Sequence, residues 1–206
     1  MRFTSQLLVG VLVTLSACAS DTAVPAPTSV TEDALSGEQL STHIPEGWLK
    51  IASSNTANLN IAEYVPPDTG EQWQEKLSVE AMQGDLLPDP LEFVAGWASD
   101  QAEVCDHFSD HPIFAGFENG YASVVRLLEG GRNKRTGKPL VTMIKVIRGQ
   151  DALYTVTRIW RLETFDASSG QIKMDTGAIA AWSNHLKQTY VCNPDSTDHP
   201  CTPAAD

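Results

Sequence analysis

The sequence has few positive charges and no long apolar run. It contains 14 Lys and Arg residues against 26 Asp and Glu residues, which gives a formal net charge of -12. Non-specific nucleic-acid binding depends on cations that neutralise phosphates, so this balance argues against a nucleic-acid partner. The chain also lacks the run of about 20 apolar residues that an ordinary membrane-spanning helix requires.

The common short catalytic motifs are also missing. The sequence contains no G-x-S-x-G, no H-E-x-x-H, no P-loop and no G-x-G-x-x-G. Many carboxylates are present, but nothing in the pattern singles out a catalytic pair. We therefore expect a protein without catalytic activity and without a cofactor. The hydrophobic fraction of 42% in 206 residues is enough for one folded domain with a core.

The first residues have the pattern of an export signal. Arg2 precedes an apolar stretch of nine residues, Leu7 to Leu15, which is too short to span a bilayer. Leu15-Ser16-Ala17-Cys18 then resembles the lipobox of bacterial lipoproteins. The resemblance implies a signal peptide over 1–17, cleavage before Cys18, a thioether-linked lipid on its thiol and acylation, as by palmitate, of the new amine.

Lipidation at this position implies a location. Several acyl chains bind a membrane stably, so Cys18 is expected to anchor the protein. Ala19, where inner-membrane lipoproteins of enterobacteria have Asp, implies the periplasmic face of the outer membrane. The alternative is an ordinary secretory signal that is cut nearby, with Cys18 incidental.

The next residues are rich in Ser, Thr, Ala and Pro and contain no aromatic residue up to position 43. This composition predicts a flexible tether over 18–43 that begins at the lipidated cysteine. A single domain is expected to follow over 44–206.

Strand and helix patterns alternate in that domain. The apolar spacing predicts one helix over 90–106, capped by Asp89, and another over 177–191, capped by Thr176. Strands are predicted at six places: Trp48–Ala52, Leu59–Val65, Leu77–Met82, Tyr121–Glu129, Leu140–Arg148 and Leu153–Leu162. This order is typical of an α+β fold with a mainly antiparallel sheet covered by two helices.

Several short stretches resemble the PsbP/Mog1-like sandwich and a set of uncharacterised proteobacterial lipoproteins. They are Glu63–Pro66, Gln72–Val79, Gly137–Pro139, Gly149–Tyr154, Val191-Cys192 and His199–Cys201. The resemblance implies a fold, and accessory or binding roles without a shared chemistry.

The cysteines predict one disulfide. If Cys18 carries lipid, three thiols remain in an oxidising compartment. Cys192 and Cys201 are nine residues apart with turn-forming residues between them, so we expect them to be bridged, with Cys105 a free thiol on the buried face of the first helix. The alternative bridge is Cys105 to Cys192.

Positive charge is concentrated in one part of the chain. Residues 126–161 hold nine of the 14 cations and only two acids. Arg126, Lys145 and Arg158 each lie within a predicted strand, and on one face they would form a row able to bind a carboxylate or phosphate. The alternative is that they pair with the protein's own carboxylates. The basic loop 132–138 is expected to be solvated or to contact anionic lipid headgroups.

His107 and His111 are a weaker candidate site. Four residues apart on a helix, they could share a metal ion. Pro112 follows, however, and the helix is predicted to end near residue 106, so we expect histidines in an exposed loop and no metal.

These observations predict a membrane-anchored periplasmic lipoprotein that binds an envelope protein or ligand without catalysis. One alternative is a small-anion-binding or metal-binding accessory to an enzyme. A more remote alternative is an envelope hydrolase that uses a carboxylate pair.

Overall fold

A computed structural model describes residues 37–69, 72–163, 172 and 174–201. The predicted signal peptide, Cys18 and the tether up to residue 36 lie outside these residues. The described elements are β1 Gln39–Ser41, β2 Leu49–Asn55, β3 Leu59–Val65, β4 Glu75–Gln83, α1 Pro90–Val104, β5 Cys105–Glu118, β6 Tyr121–Asn133, β7 Leu140–Arg148, β8 Ala152–Arg161, α2 Thr176–Lys187 and β9 Tyr190–Cys192. Neither helix in this part of the chain is long and apolar enough to cross a membrane.

Seven strands form one antiparallel sheet in the order β2-β3-β4-β8-β7-β6-β5. β1 and β9 form a separate two-stranded sheet. Because β4 lies in the middle and β5 at the edge, the segment that contains α1 crosses over the sheet. The predicted α+β fold, with a mainly antiparallel sheet and two helices, is confirmed.

One helix covers each face of the large sheet. Trp182 and Leu186 of α2 pack on one face, against Leu77, Met143 and Trp160. On the other face, Val94 of α1 packs with Val124, Ile144, Val146 and Leu153. We call these faces the α2 face and the α1 face. Because side chains alternate along a strand, each central strand supplies apolar residues to both faces and is buried.

The folded domain begins earlier than expected. Residues 39–41, inside the range 18–43 predicted to be a tether, form β1 and pair with β9. Glu38 is only 2% exposed, and its carboxylate accepts a hydrogen bond from the amide of Gln150 at 2.8 Å. The last residues of that range therefore belong to the fold, which composition did not indicate because these residues are polar.

The helix ends also differ from the prediction. α1 starts as expected, with the Asp89 side chain accepting from the amide of Leu91, but it stops at Val104. Cys105 is therefore the first residue of β5 and not part of the helix. α2 is capped by Asp175 instead of Thr176 and ends at Lys187, because residues 190–192 are needed as the strand that pairs with β1.

Candidate interaction surface

The edge strand β5 is the main feature that the sequence patterns did not predict. Asn119 and Gly120 join it to β6, both with positive φ, at 48° and 81°. Consecutive left-handed residues of the type Asn-Gly make the tight turn that matches the twist of a hairpin. This dipeptide was the available signal for β5. The polar stretch before it, with Asp106, His107 and Asp110, conceals the strand because it shows no apolar alternation.

The two halves of β5 differ in how well their open edge is protected. The first half contains Asp106, Asp110 and Pro112, and a register shift follows Pro112. Charges, proline and bulges are the usual means by which edge strands avoid pairing with other chains. The second half contains no charged residue and no proline before Glu118, and the bulge of the strand lies at its first residue, Ile113. We call residues 113–117 the open segment, with the sequence Ile-Phe-Ala-Gly-Phe.

The open segment is apolar and accessible. Ile113 is 46% exposed, Phe114 37% and Phe117 77%. Among the described strands, β5 pairs only with β6, so one side of its backbone has no strand partner. The opposite edge, β2, also exposes Leu49 and Ile51, and it has a bulge between Lys50 and Ala52 like that of β5. Its second half is polar, however, whereas residues 114–117 of β5 have no polar side chain. An unprotected apolar edge in a folded protein indicates a site for another molecule.

The predicted anion-binding row does not form, because the sheet register places its members on different faces. Arg126 pairs with Ile144 and therefore faces α1, whereas Lys145 pairs with Val125 and Val156 and faces α2. Arg158 pairs with Leu77, also on the α2 face. Each cation meets a carboxylate of the protein itself: Asp110 for Arg126, Glu118 for Lys145 and Glu75 for Arg158.

Lys145 is buried, and its ammonium group is paired within the domain. Its side chain is 1% exposed, and its ammonium group donates to the carbonyls of Leu186 at 2.7 Å and Thr189 at 2.6 Å. The Glu118 carboxylate lies 2.8 Å away. Burial lowers the pKa of Lys145, and Glu118 opposes that shift. The side chain thus joins the C-terminal end of α2 to the sheet, where a cation is favoured.

Arg158 lies among three tryptophans. The centre of its guanidinium group is 4.9 Å from the ring of Trp182 and 5.1 Å from those of Trp48 and Trp160. Its carboxylate partner, Glu75, also accepts from the indole of Trp160 at 3.1 Å. The stacking and the ion pair satisfy the guanidinium charge within the domain.

The histidines expected in a loop lie in β5 instead. An extended strand places residues four apart about 13 Å from each other, too far to share one metal ion directly. His111 is 2.9 Å from the Glu129 carboxylate on the neighbouring strand. Nowhere in the described part of the chain do three or more His, Cys, Asp or Glu side chains form a group that could hold a metal.

The basic loop between β6 and β7 is partly neutralised. Arg132 is 2.9 Å from Asp106, and Lys138 is 2.9 Å from Glu163. The hydrogen bond from Arg132 lowers the pKa of Asp106. The loop lies at the end of the sheet where β2 begins and β5 starts, which we call the basic end.

The opposite end of the sheet receives the N-terminal segment, and we call it the entry end. It carries the turns 119–120 and 149–151 and the loop 84–89. Glu38 lies against the second turn, where a side chain on Gly149 would collide with the carboxylate. Burial, and then Glu38, raise the pKa of Tyr121. The 193–201 segment is held here because the Asn119 side chain donates to the Pro200 carbonyl at 3.1 Å.

The expected disulfide lies in this region. Cys192 and Cys201 are bridged, with 4.7 Å between their Cα atoms, and Cys105 is a free, buried thiol. The ring of His199, two residues before Cys201, stacks on Tyr121 with 4.2 Å between the ring centres, and its Nδ1–H donates to the Asn119 carbonyl at 2.9 Å. The bridge therefore ties the chain end to the β5–β6 turn.

The arrangement of strands and helices is shared with a known structure. The crystal structure of the Ran-binding protein Mog1p from Saccharomyces cerevisiae matches 73% of this chain and 89% of its own, at 14% sequence identity and a TM-score of 0.51. The chain has a Mog1-like fold. At this identity the likeness to Mog1 concerns the fold and not the function.

Two further structures match with lower TM-scores than Mog1p. LpqN of Mycobacterium tuberculosis, involved in cell envelope biogenesis, is 15% identical, with 80% of this chain and 89% of that chain covered and a TM-score of 0.45. PA94 from Pseudomonas aeruginosa, a protein of unknown function, is 18% identical, with 70% and 85% covered and a TM-score of 0.38. Likeness at these scores supports no conclusion. No family model and no curated protein matches the chain.

Proposed function

We propose that the protein is a lipid-anchored, non-catalytic module of the cell envelope that binds a protein partner along β5. The observation that carries the proposal is the open segment 113–117, which combines exposed apolar side chains with a backbone edge that no described strand pairs. Such an edge binds an extended polypeptide by adding it to the sheet as a further strand. The lipobox at Cys18 and its position before a tether support the location at the outer membrane, facing the periplasm.

The exposed edge of β5 indicates what kind of polypeptide it would bind. Main-chain hydrogen bonds would supply affinity, and the side chains of Ile113 and Phe114 would select apolar residues in the added strand. The cations of the sheet support a protein partner over a small anion, because Arg126, Lys145 and Arg158 already pair with carboxylates. No group of side chains among the described residues supports a catalytic role in the way that the edge of β5 supports binding.

Photo-crosslinking in the cell tests the binding edge. A benzophenone-bearing residue in place of Ile113 is expected to give one discrete adduct, and the same residue at Leu49 on the opposite edge is expected to give none. Ala115→Asp places a charge on the open edge and should abolish the adduct, whereas Ser53→Asp on β2 should not.

The crosslinking results distinguish binding along β5 from the alternatives. An adduct that persists in Ala115→Asp, or appears equally from position 49, would contradict binding along β5. An adduct of twice the chain mass would identify the partner as a second copy. Both Asp variants change exposed positions, so their unfolding curves should match that of the wild type within about 0.5 kcal/mol.

The anchor has a separate test. Cys18→Ser removes the thiol that the lipid requires, so the chain should move from the membrane fraction to the soluble fraction. Intact mass of the wild-type product should show acyl chains on a polypeptide that begins at Cys18. An unmodified mass would refute the anchor and leave the edge-binding proposal standing.

A further inference from the structure

The entry end of the sheet exposes large apolar side chains. Leu86, in the loop after β4, is 95% exposed, and Phe117, near the end of β5, is 77% exposed. They are the two most exposed of the large hydrophobic residues in the described chain. Arg148 lies between these two regions. Its guanidinium donates to the carbonyls of Leu87 and Pro88, next to Leu86. In the sheet it pairs with Ala122, which in turn pairs with Phe117.

The chain enters the fold at this same end. Glu38 accepts from the amides of Gln150 and Asp151 at 2.8 and 3.5 Å, so the position of the first described residues is set by the turn between β7 and β8. Only 18 residues lie between Cys18 and Gly37 in the sequence. If they form the tether that their composition predicts, they would span roughly 25 Å r.m.s., so a lipid at Cys18 would hold the entry end within about that distance of the bilayer.

The charges of this end are also distinctive. Among the described residues, this end carries five exposed aspartates, Asp85, Asp89, Asp151, Asp195 and Asp198, and one half-buried cation, Arg148. The cations are concentrated at the basic end, on the opposite side of the sheet. Exposed apolar side chains at an end with a net negative charge fit the headgroup layer of a neutral lipid better than that of an anionic one, which would repel the carboxylates.

We infer that the entry end rests on the lipid surface, with Leu86 and Phe117 inserted among neutral headgroups, so that β5 stands upright from the membrane with its open edge accessible. This inference rests on the lipid anchor of the proposed function. The backbone edge of β5 and the Phe117 side chain are different groups, so lipid contact and strand addition are compatible.

Fluorescence quenching in vesicles tests the orientation. The full chain, purified from membranes and reconstituted in phosphatidylcholine vesicles with a nitroxide-labelled lipid, would carry a fluorophore on Asp85→Cys or on Thr136→Cys. Cys105 is buried and Cys192 is bridged to Cys201, so the added thiol is the one that reacts among the described residues. We expect quenching at 85 to exceed quenching at 136 at least about threefold, as a headgroup-depth contact requires.

Variants connect the signal to the two side chains. Leu86→Ser combined with Phe117→Ser should reduce quenching at 85 to the level at 136, and Leu49→Ser, at the basic end, should leave it unchanged. Replacing part of the lipid with anionic phosphatidylglycerol should weaken the contact. Equal quenching at both positions, stronger quenching at 136, or insensitivity to the double variant would overturn the inference.

Flotation of the same vesicles separates the two possible failures. A chain that floats without quenching at 85 refutes the orientation alone, since the anchor is then intact. A chain that does not float refutes the anchor and, with it, this inference.

Discussion

Burial of the Lys145 ammonium is compatible with stability because each of its three protons has an acceptor: the Leu186 carbonyl, the Thr189 carbonyl and the Glu118 carboxylate. The sequence shows a lysine in the middle of an apolar strand, and this alone is compatible with an anion site. Its true environment depends on the end of α2, which lies more than 40 residues away in the chain. The residue thus stabilises a contact between elements.

Removing this ammonium group should be costly. Lys145→Met removes the ammonium from two carbonyls and from the Glu118 carboxylate, which among the described residues keeps only the Ser123 hydroxyl as a donor, and we expect the free energy of unfolding to fall by about 3–5 kcal/mol. Urea unfolding followed by circular dichroism measures the loss. Lys138→Met removes an ion pair between two half-exposed side chains and should cost less than about 1 kcal/mol. Equal losses in the two variants would disagree with the structural role of Lys145.

His185 makes stability depend on pH. Burial, then the charges of His43 and Arg158, lower the pKa of His185 to about 4. In the unfolded chain His185 has its ordinary pKa of about 6.5. Between about pH 6.5 and 4 the unfolded chain therefore binds a proton at His185 and the folded chain does not. The free energy of unfolding should therefore fall as pH drops through this window and be unaffected by His185 above it.

The comparison variant is His185→Phe, which can keep the stacking on Trp182, 4.0 Å away, but does not titrate. Because the ring is partly exposed, we expect the wild type to lose only about 1–2 kcal/mol more than the variant across the window. Urea unfolding at several pH values gives both curves. Parallel curves would show that His185 does not cause the dependence.

At the scale of elements, the β5–β6 hairpin depends on its turn. A Cβ on Gly120 would lie 2.6 Å from the ring of His199, and its φ of 81° is unfavourable for a residue with a side chain. The hairpin, the 193–201 segment and the disulfide therefore meet at one crowded point. A larger residue at position 120 affects all three.

Gly120→Ala should lower the free energy of unfolding by more than about 2 kcal/mol, the sum of backbone strain and collision. Gly137→Ala is the matched control, because its φ is 74° and nothing lies within 4 Å of the added Cβ. The control should show the backbone cost alone, about 1–2 kcal/mol. Thermal unfolding of both variants gives the difference, and a control as damaging as Gly120→Ala would contradict the crowding.

At the scale of the whole molecule, the boundary of the domain can be tested directly. A chain that starts at Ile44, where composition placed the boundary, lacks β1 and Glu38, whereas one that starts at Gly37 retains them. The lost carboxylate hydrogen bonds alone are worth about 2 kcal/mol, so the midpoint temperature should be about 4–8 °C lower for the shorter chain. Equal midpoint temperatures would show that residues 37–43 do not stabilise the domain and belong to the tether.

Local pattern was sufficient for much of this fold. β3 and β7 have the predicted bounds, Leu59–Val65 and Leu140–Arg148, because buried strands combine alternating or continuous apolar residues with clear turn signals at both ends. The start of α1 followed from Asp89 and Pro90 in the same way. Edge elements are different: β5 and β1 have few buried side chains, and their strand structure comes from pairing with β6 and β9.

The sequence by itself determined the fold class, the central elements and the uneven distribution of charge, and it favoured the Cys192–Cys201 disulfide, because each depends on neighbours close in the chain. Only the tertiary structure decided that Arg126 faces away from Lys145 and Arg158, and that each of them has a carboxylate partner. It also decided that the open segment lies at a sheet edge. These properties depend on strand order and register, which are set by contacts between residues far apart in the sequence.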